Sequence, residues 1–140
     1  MKALSIRQPW IYAILHLGKE VENRTWDTKY RGPLLLHAGK AMCSDDYEFI
    51  CEQAEKQGLA APRRDQIERG GIVGICDVAD MVENHKSPWF HGQVGWLLKN
   101  ARPLPFVPMR GHLGLFEVAE AQLLSPATMP HGDLDPRASA

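Results

Sequence analysis

Residues 18–40, GKEVENRTWDTKYRGPLLLHAGK, carry two different strand signatures within one short stretch. Val21–Trp26 alternates, with Val21 and Asn23 on one face and Glu22, Arg24 and Trp26 on the other, because strand side chains repeat every two residues. Tyr30–Gly32 turns the chain. Pro33–Ala38 is a continuous apolar run, the pattern of a buried strand. The stretch therefore predicts a sheet-forming core with a polar, chemistry-bearing strand at its start.

Working outward, KALSI near the N-terminus reads as an opening strand. Gln8–Pro9–Trp10 reads as a helix start, since proline near the first helical position loses no needed hydrogen bond. Trp10, Ala13, Ile14 and Leu17 then fall on one helical face, and Gly18 suits the stop. After the quoted stretch, Ser44 can cap a second helix with the stripe Tyr47, Ile50, Cys51 and Ala54. Residues 58–71 are polar and glycine-containing, a surface excursion. GIVGICDVADMV (71–82) predicts a central strand, VGWLLKN (94–100) another, and LGLFEVA (113–119) the last. HKSPWFHG (85–92) is a loop, and RPLPFVP (102–108) is proline-rich. From 123 to 140 the composition is that of a flexible tail. Strands outnumber helices, so an α+β domain over residues 1–122, or a small partly closed barrel, is expected.

The 140-residue length supports one domain with a real core. Hydrophobic residues at 44% and charged residues at 24% are ordinary for a soluble globular chain. No apolar run approaches the roughly 20 residues of a membrane span, and Arg7–Gln8–Pro9 interrupts the N-terminal stretch before a signal-peptide core forms. The three cysteines are odd in number and lack CxxC spacing, so a disulfide scaffold is not expected and a cytoplasmic setting is. An isoelectric point near 6.6 excludes a uniformly basic nucleic-acid coat. The charge is nevertheless uneven. Residues 1–40 carry seven basic and three acidic groups, a net +4, and residues 41–140 carry nine and fourteen, a net −5. A local field of this kind fits an anionic ligand; a chance split on solvated faces remains the alternative.

Glu22, Arg24 and Trp26 in one row can serve one pocket. Carboxylates accept from base amino groups, arginine grips phosphate or a base edge, and an indole offers a stacking plane worth about 1–3 kcal/mol per base. On spacing alone, an ion pair beside a core tryptophan fits equally well. Lys19, just after Gly18, is a phosphate contact, a base if burial lowers its pKa, or simply a cation at a helix C-terminus. Asp77 and Glu117 lie in apolar strands, where an ionised group needs a partner. His37 reads as a satisfied buried histidine. His85, His91 and His112 lack zinc-ligand spacing, so no metal is expected. No GxxxxGKS, GxGxxG or GxSxG motif occurs, and no cofactor is expected.

LSIRQPW (4–10) followed by GKEVENRTWDTKYRGPLLLHAGK resembles the signature of the ASCH (activating signal cointegrator homology) domain, in the PUA-like superfamily. The pattern continues in GGIVGICDVAD, in SPWFHGQVGWLLKNARPLPFVP and in RGHLGLFEV, from about Leu4 to Val118. The resemblance implies a small PUA-like β-barrel of about five or six strands with flanking helices, and a cleft beside the first helix proposed to bind RNA, DNA or a modified nucleobase. Lys19, Glu22 and Arg24 fall at the family's lysine, glutamate and arginine positions. Trp26, Thr28, Arg31 and Gly32 match the turn that follows, and Gln8, Pro9 and Trp10 match the helix start. Some small bacterial relatives are amidohydrolases of acetylated cytidine that use a lysine, a threonine and a glutamate. Lys19 falls on that lysine, whereas the threonine position is Glu22 here. Ribonuclease activity has also been suggested in the family.

The leading expectation is binding of RNA, single-stranded nucleic acid or a nucleotide, with Gln8, Trp10, Lys19, Glu22, Arg24, Trp26, Thr28, Arg31 and Arg110 as contacts. The alternative is a metal-independent hydrolase of an acylated nucleoside or of RNA, with Lys19 and Glu22 catalytic. A second alternative is a protein-interaction domain whose partner meets the 103–108 segment and the Trp89–Phe90 loop.

Overall fold

A computed structural model describes residues 1–124. Its elements are β1 (Lys2–Gln8), α1 (Trp10–His16), β2 (Val21–Arg24), β3 (Gly32–Met42), α2 (Ser44–Lys56), a 3-10 turn (Arg64–Gln66), β4 (Gly71–Val82), β5 (Val94–Pro108), β6 (Leu115–Glu117) and α3 (Glu120–Leu123). Of the tail expected over 123–140, residues 125–140 lie outside the described residues.

The six strands form one mixed sheet in the order β2-β5-β4-β3-β1-β6. Among the described residues only β1 and β3 run parallel, and the other pairings are antiparallel. The class is α+β. The ladder is not closed into a barrel: among the described residues β2 pairs only with β5, and β6 only with β1. The edge strand β2 nevertheless reaches the far side of the sheet, because Arg24 donates from Nη2 to the Ser5 carbonyl on β1, the strand beside β6, at 2.8 Å. Leu4, Ile6, Val78, Trp96 and Leu98 from both halves share one core.

The LLL run of β3 is fully buried because both faces of this central strand are covered. Leu34, Leu36 and Ala38 face the core inside the curved sheet, while Leu35 packs on the other side with Ala3, Ile72, Val107 and Val118. Burying each leucine contributes about 1.5–3 kcal/mol. The proline-rich 103–108 segment is strand, continuous with 94–102. It tolerates Pro103, Pro105 and Pro108 because β2 covers only Val94–Leu97, so the rest of β5 is a sheet edge where a missing N–H costs little. Helix α1 stops where expected. Gly18 takes φ +76°, which lets the Lys19 N–H reach back to the Ala13 carbonyl at 3.1 Å. That turn delivers Lys19 to the mouth of β2. A second apolar cluster, with Ala13, Leu17, Val21, Ile50, Ala54 and Trp89, fixes α1 and α2 against the start of β2.

Candidate functional site

Where α1, α2, β2 and the loop after β4 converge, a cavity of about 140 Å³ is lined by Trp10, Lys19, Glu22, Asn23, Phe49, Trp89 and His91. Its size is close to the roughly 150 Å³ that holds a benzene-sized ring. Three aromatic rings wall it. Phe49 lies 6.1 Å from Trp10 and 6.2 Å from Trp89, nearly perpendicular to the latter.

The polar wall is a buried ion-pair chain. Lys19 and Glu22 are 5% and 7% exposed, so both charges need partners. Lys19 Nζ donates to the Val21 carbonyl at 2.5 Å and to Glu22 Oε1 at 3.3 Å, and lies 5.9 Å from the Trp10 ring centre. Glu22 Oε2 accepts from Arg24 Nε at 3.1 Å. Burial pushes the Lys19 amine below its ordinary pKa, and the Glu22 carboxylate opposes that shift without cancelling it. After these bonds Lys19 retains one N–H donor, and each Glu22 oxygen retains acceptor capacity.

The structure thus brings together three of the sequence-derived candidates: Trp10, Lys19 and Glu22. The others are placed elsewhere. Arg24 stands behind Glu22, tied to Ser5. Trp26 lies past the end of β2, half-buried against the core and edge-on to Trp96 at 4.9 Å, and its carbonyl accepts from Trp96 Nε1. Gln8 is buried and accepts from the Tyr12 amide while donating to the Glu68 carbonyl, a role in fastening the start of α1. Thr28 and Arg31 bond within the 28–31 turn, with Arg31 also 3.5 Å from Asp80. Arg110 lines a separate groove beside Ser5 and His37. Asp77 is partnered by Asn100, and Glu117 by Lys2 and the N-terminal amine, remote from Lys19.

Asn23, Phe49 and His91 are pocket residues that period and spacing do not single out. Asn23 sits on the strand face opposite Glu22 by simple alternation, yet β2 is an edge strand and the pocket wraps around it. Its side chain binds the loop twice: Nδ2 donates to the Trp89 carbonyl at 3.0 Å, and Oδ1 accepts from the His91 amide at 2.8 Å. Ser87 adds a hydroxyl bond to Glu20 and accepts from the Trp89 amide. Phe90 packs inward on Gly95, where a Cβ would meet its ring at 2.9 Å. Phe49 is 40% exposed and lies off the apolar stripe of α2. That position was the available signal, since a large aromatic off the buried face has no packing reason to be there. Among the described residues, no group of three or more His, Cys, Asp and Glu side chains is arranged to hold a metal ion. None of the described helices is long and apolar enough to cross a membrane.

The sequence model of the ASCH domain matches residues 4–104, most of the chain. The chain belongs to the ASCH family. Among solved structures, the ASCH protein from Zymomonas mobilis shares its fold with a TM-score of 0.52 at 11% identity, covering 91% of this chain and 94% of that one. The Y47F mutant of the Zymomonas mobilis protein gives the same score and identity, with 96% of its chain covered. At that identity the likeness of this ASCH chain concerns the fold alone. No curated protein matches the sequence. The Lys19–Glu22–Arg24 row of this family member is therefore read from its own geometry.

Proposed function

We propose that this ASCH protein binds single-stranded nucleic acid or a nucleotide by taking one base into the aromatic pocket. The observation that carries the reading is a ring-sized cavity walled by Trp10, Phe49 and Trp89 with a buried Lys19–Glu22 pair at its side. Rings supply stacking surface, and the pair offers one spare donor and two acceptor oxygens to the edge of a base. A purely apolar guest would leave those groups unsatisfied at a cost of about 1–3 kcal/mol each. A stacked base in a duplex cannot enter without unpairing, so the site favours single strands. The net +4 of residues 1–40 supplies a modest field for the accompanying phosphate.

The test is equilibrium binding of short single-stranded RNA and of free nucleotides at low salt, with Phe49→Ala and Trp89→Ala compared to the wild type. Loss of one stacking partner weakens binding by about 1–3 kcal/mol, roughly five- to 150-fold. No binding of any probe, or wild-type affinity in both variants, removes the reading.

A second reading is favoured by the lowered pKa of Lys19 beside a carboxylate. A lysine amine that gives up its proton more readily can take one from an attacking water, and the resulting ammonium can hand it, directly or through Glu22, to the leaving nitrogen of an acylated nucleoside. Metal-free turnover of N4-acylated cytidines that disappears in Lys19→Ala supports hydrolysis; no turnover in the wild type refutes it.

A further inference from the structure

A second concavity opens between β1, β3 and the 109–111 segment, and shares no lining residue with the aromatic pocket. We propose that it is a binding site for a phosphate group, either a free phosphate or phosphomonoester or the phosphodiester of a nucleic-acid backbone. The groove measures about 770 Å³, and its charged side chains are Lys40 and Arg110, with no carboxylate among the lining residues. Both are exposed, and among the described residues neither side chain has a hydrogen-bond or ion-pair partner. Two unpaired cations facing one concavity form a place for an anion.

The groove is built, because the backbone carrying each cation is fixed. On β3, the Lys40 stem passes over Gly70, where a Cβ would touch its Cγ and Cε at 3.7 and 3.9 Å. Gly70 itself is pinned, donating to the Ala38 carbonyl at 2.8 Å and accepting from the Met109 amide at 3.1 Å. On the other wall, His37 Nε2 meets the Met109 carbonyl at 2.7 Å, and Ser5 Oγ lies 3.0 Å from His37 Nδ1. A carbonyl can only accept, so Nε2 carries the proton and Nδ1 accepts from the Ser5 hydroxyl. Gly111 presses on the same pair, since a Cβ there would overlap Ser5 Oγ and the His37 ring. Arg110 is therefore held between two anchored residues while its guanidinium stays unpaired. The adjoining depression shares Lys40, Gly70 and Pro108 and adds Arg64 and Arg69. That depression also holds two acids, Asp65, paired with Arg63, and Glu68, so the unopposed positive charge of the groove is that of Lys40 and Arg110.

This site stands independently of the aromatic pocket. The experiment is an NMR titration of the full chain at low ionic strength with two probes, inorganic phosphate and an abasic single-stranded oligonucleotide. Amides of Lys40, Gly70, Arg110 and Gly111 and the His37 ring nitrogens are the reporters. Saturable shifts at these positions, lost in the Lys40→Ala/Arg110→Ala double variant and kept in Lys40→Arg, are expected. In the oligonucleotide arm, the slope of log affinity against log salt drops by about 0.7 for each phosphate contact removed. Shifts with both probes identify a backbone site, and shifts with inorganic phosphate alone identify a site for a free phosphate or monoester. No saturable shift with either probe, or the same shifts in the double variant, overturns the proposal. Both substituted side chains are exposed, so an unchanged spectrum elsewhere verifies the fold.

Discussion

Arg24 and Ser5 sit on strands that are not ladder neighbours, and one hydrogen bond of 2.8 Å from Arg24 Nη2 to the Ser5 carbonyl joins them across the open side of the sheet. The same guanidinium holds Glu22 through Nε at 3.1 Å. One side chain thus braces the sheet and the polar wall of the pocket together. It also links the two concavities, since Glu22 lines one and Ser5 the other.

Arg24→Ala is expected to lower stability by about 1.5–3 kcal/mol, the value of a hydrogen bond involving a charged group. Arg24→Lys should recover little of it, because an ammonium lacks the planar fork that reaches both partners. Urea denaturation of the three proteins measures this. Full recovery in the lysine variant would show that charge alone matters.

Glu22→Ala leaves the Lys19 ammonium buried with only a carbonyl partner, and breaking such a pair costs about 3–5 kcal/mol. Glu22→Gln keeps an acceptor and should cost less. Chemical denaturation near neutral pH separates them, and equal stability of wild type and Glu22→Ala would contradict the buried pair.

Lys19 has a folded-state pKa below its ordinary 10.5, with burial as the main cause. The unfolded chain then binds the proton more tightly, so unfolding takes up protons between the two values and stability contributed by this group rises with pH there. Relative to Lys19→Met, which cannot titrate, the wild type should gain stability as pH climbs through the alkaline range toward 10.5. Denaturation of both proteins at a series of pH values checks the sign, and a wild-type stability that falls or stays flat relative to Lys19→Met as pH rises would contradict it.

Asn23→Ala removes both bonds that hold the Trp89–His91 loop to β2. The His91 amide should lose hydrogen-exchange protection, and base affinity should fall because Trp89 is no longer fixed, while global stability drops by about 1–3 kcal/mol. Unchanged exchange at His91 would show that packing alone positions the loop.

Much of this molecule is legible in its sequence where one force dominates. The LLL run of β3, the Gly18 stop and the stripe ending in Ile50 and Ala54 each follow from burial or backbone freedom, and the structure has them. The proline-rich half of β5 was not legible as strand, because whether a missing N–H matters depends on where its neighbour β2 ends. Period two correctly joins Glu22 to Arg24, yet it carries Trp26 along with them; β2 ends at Arg24, and the indole then packs half-buried against the core at Trp96. Asn23 and Phe49 come to the pocket through tertiary placement, the first around a strand edge and the second from a helix distant in sequence. The charge asymmetry over residues 1–40 is visible in sequence, but its division between Lys19 in one concavity and Lys40 in another is not.

The most direct test of the account is where a bound base lies. Intermolecular NOEs between the base protons of a short single-stranded oligonucleotide and the protein's aromatic side chains measure it. The account expects contacts from one base to the ring protons of Trp10, Phe49 and Trp89. Saturable binding whose base NOEs avoid all three rings would contradict it.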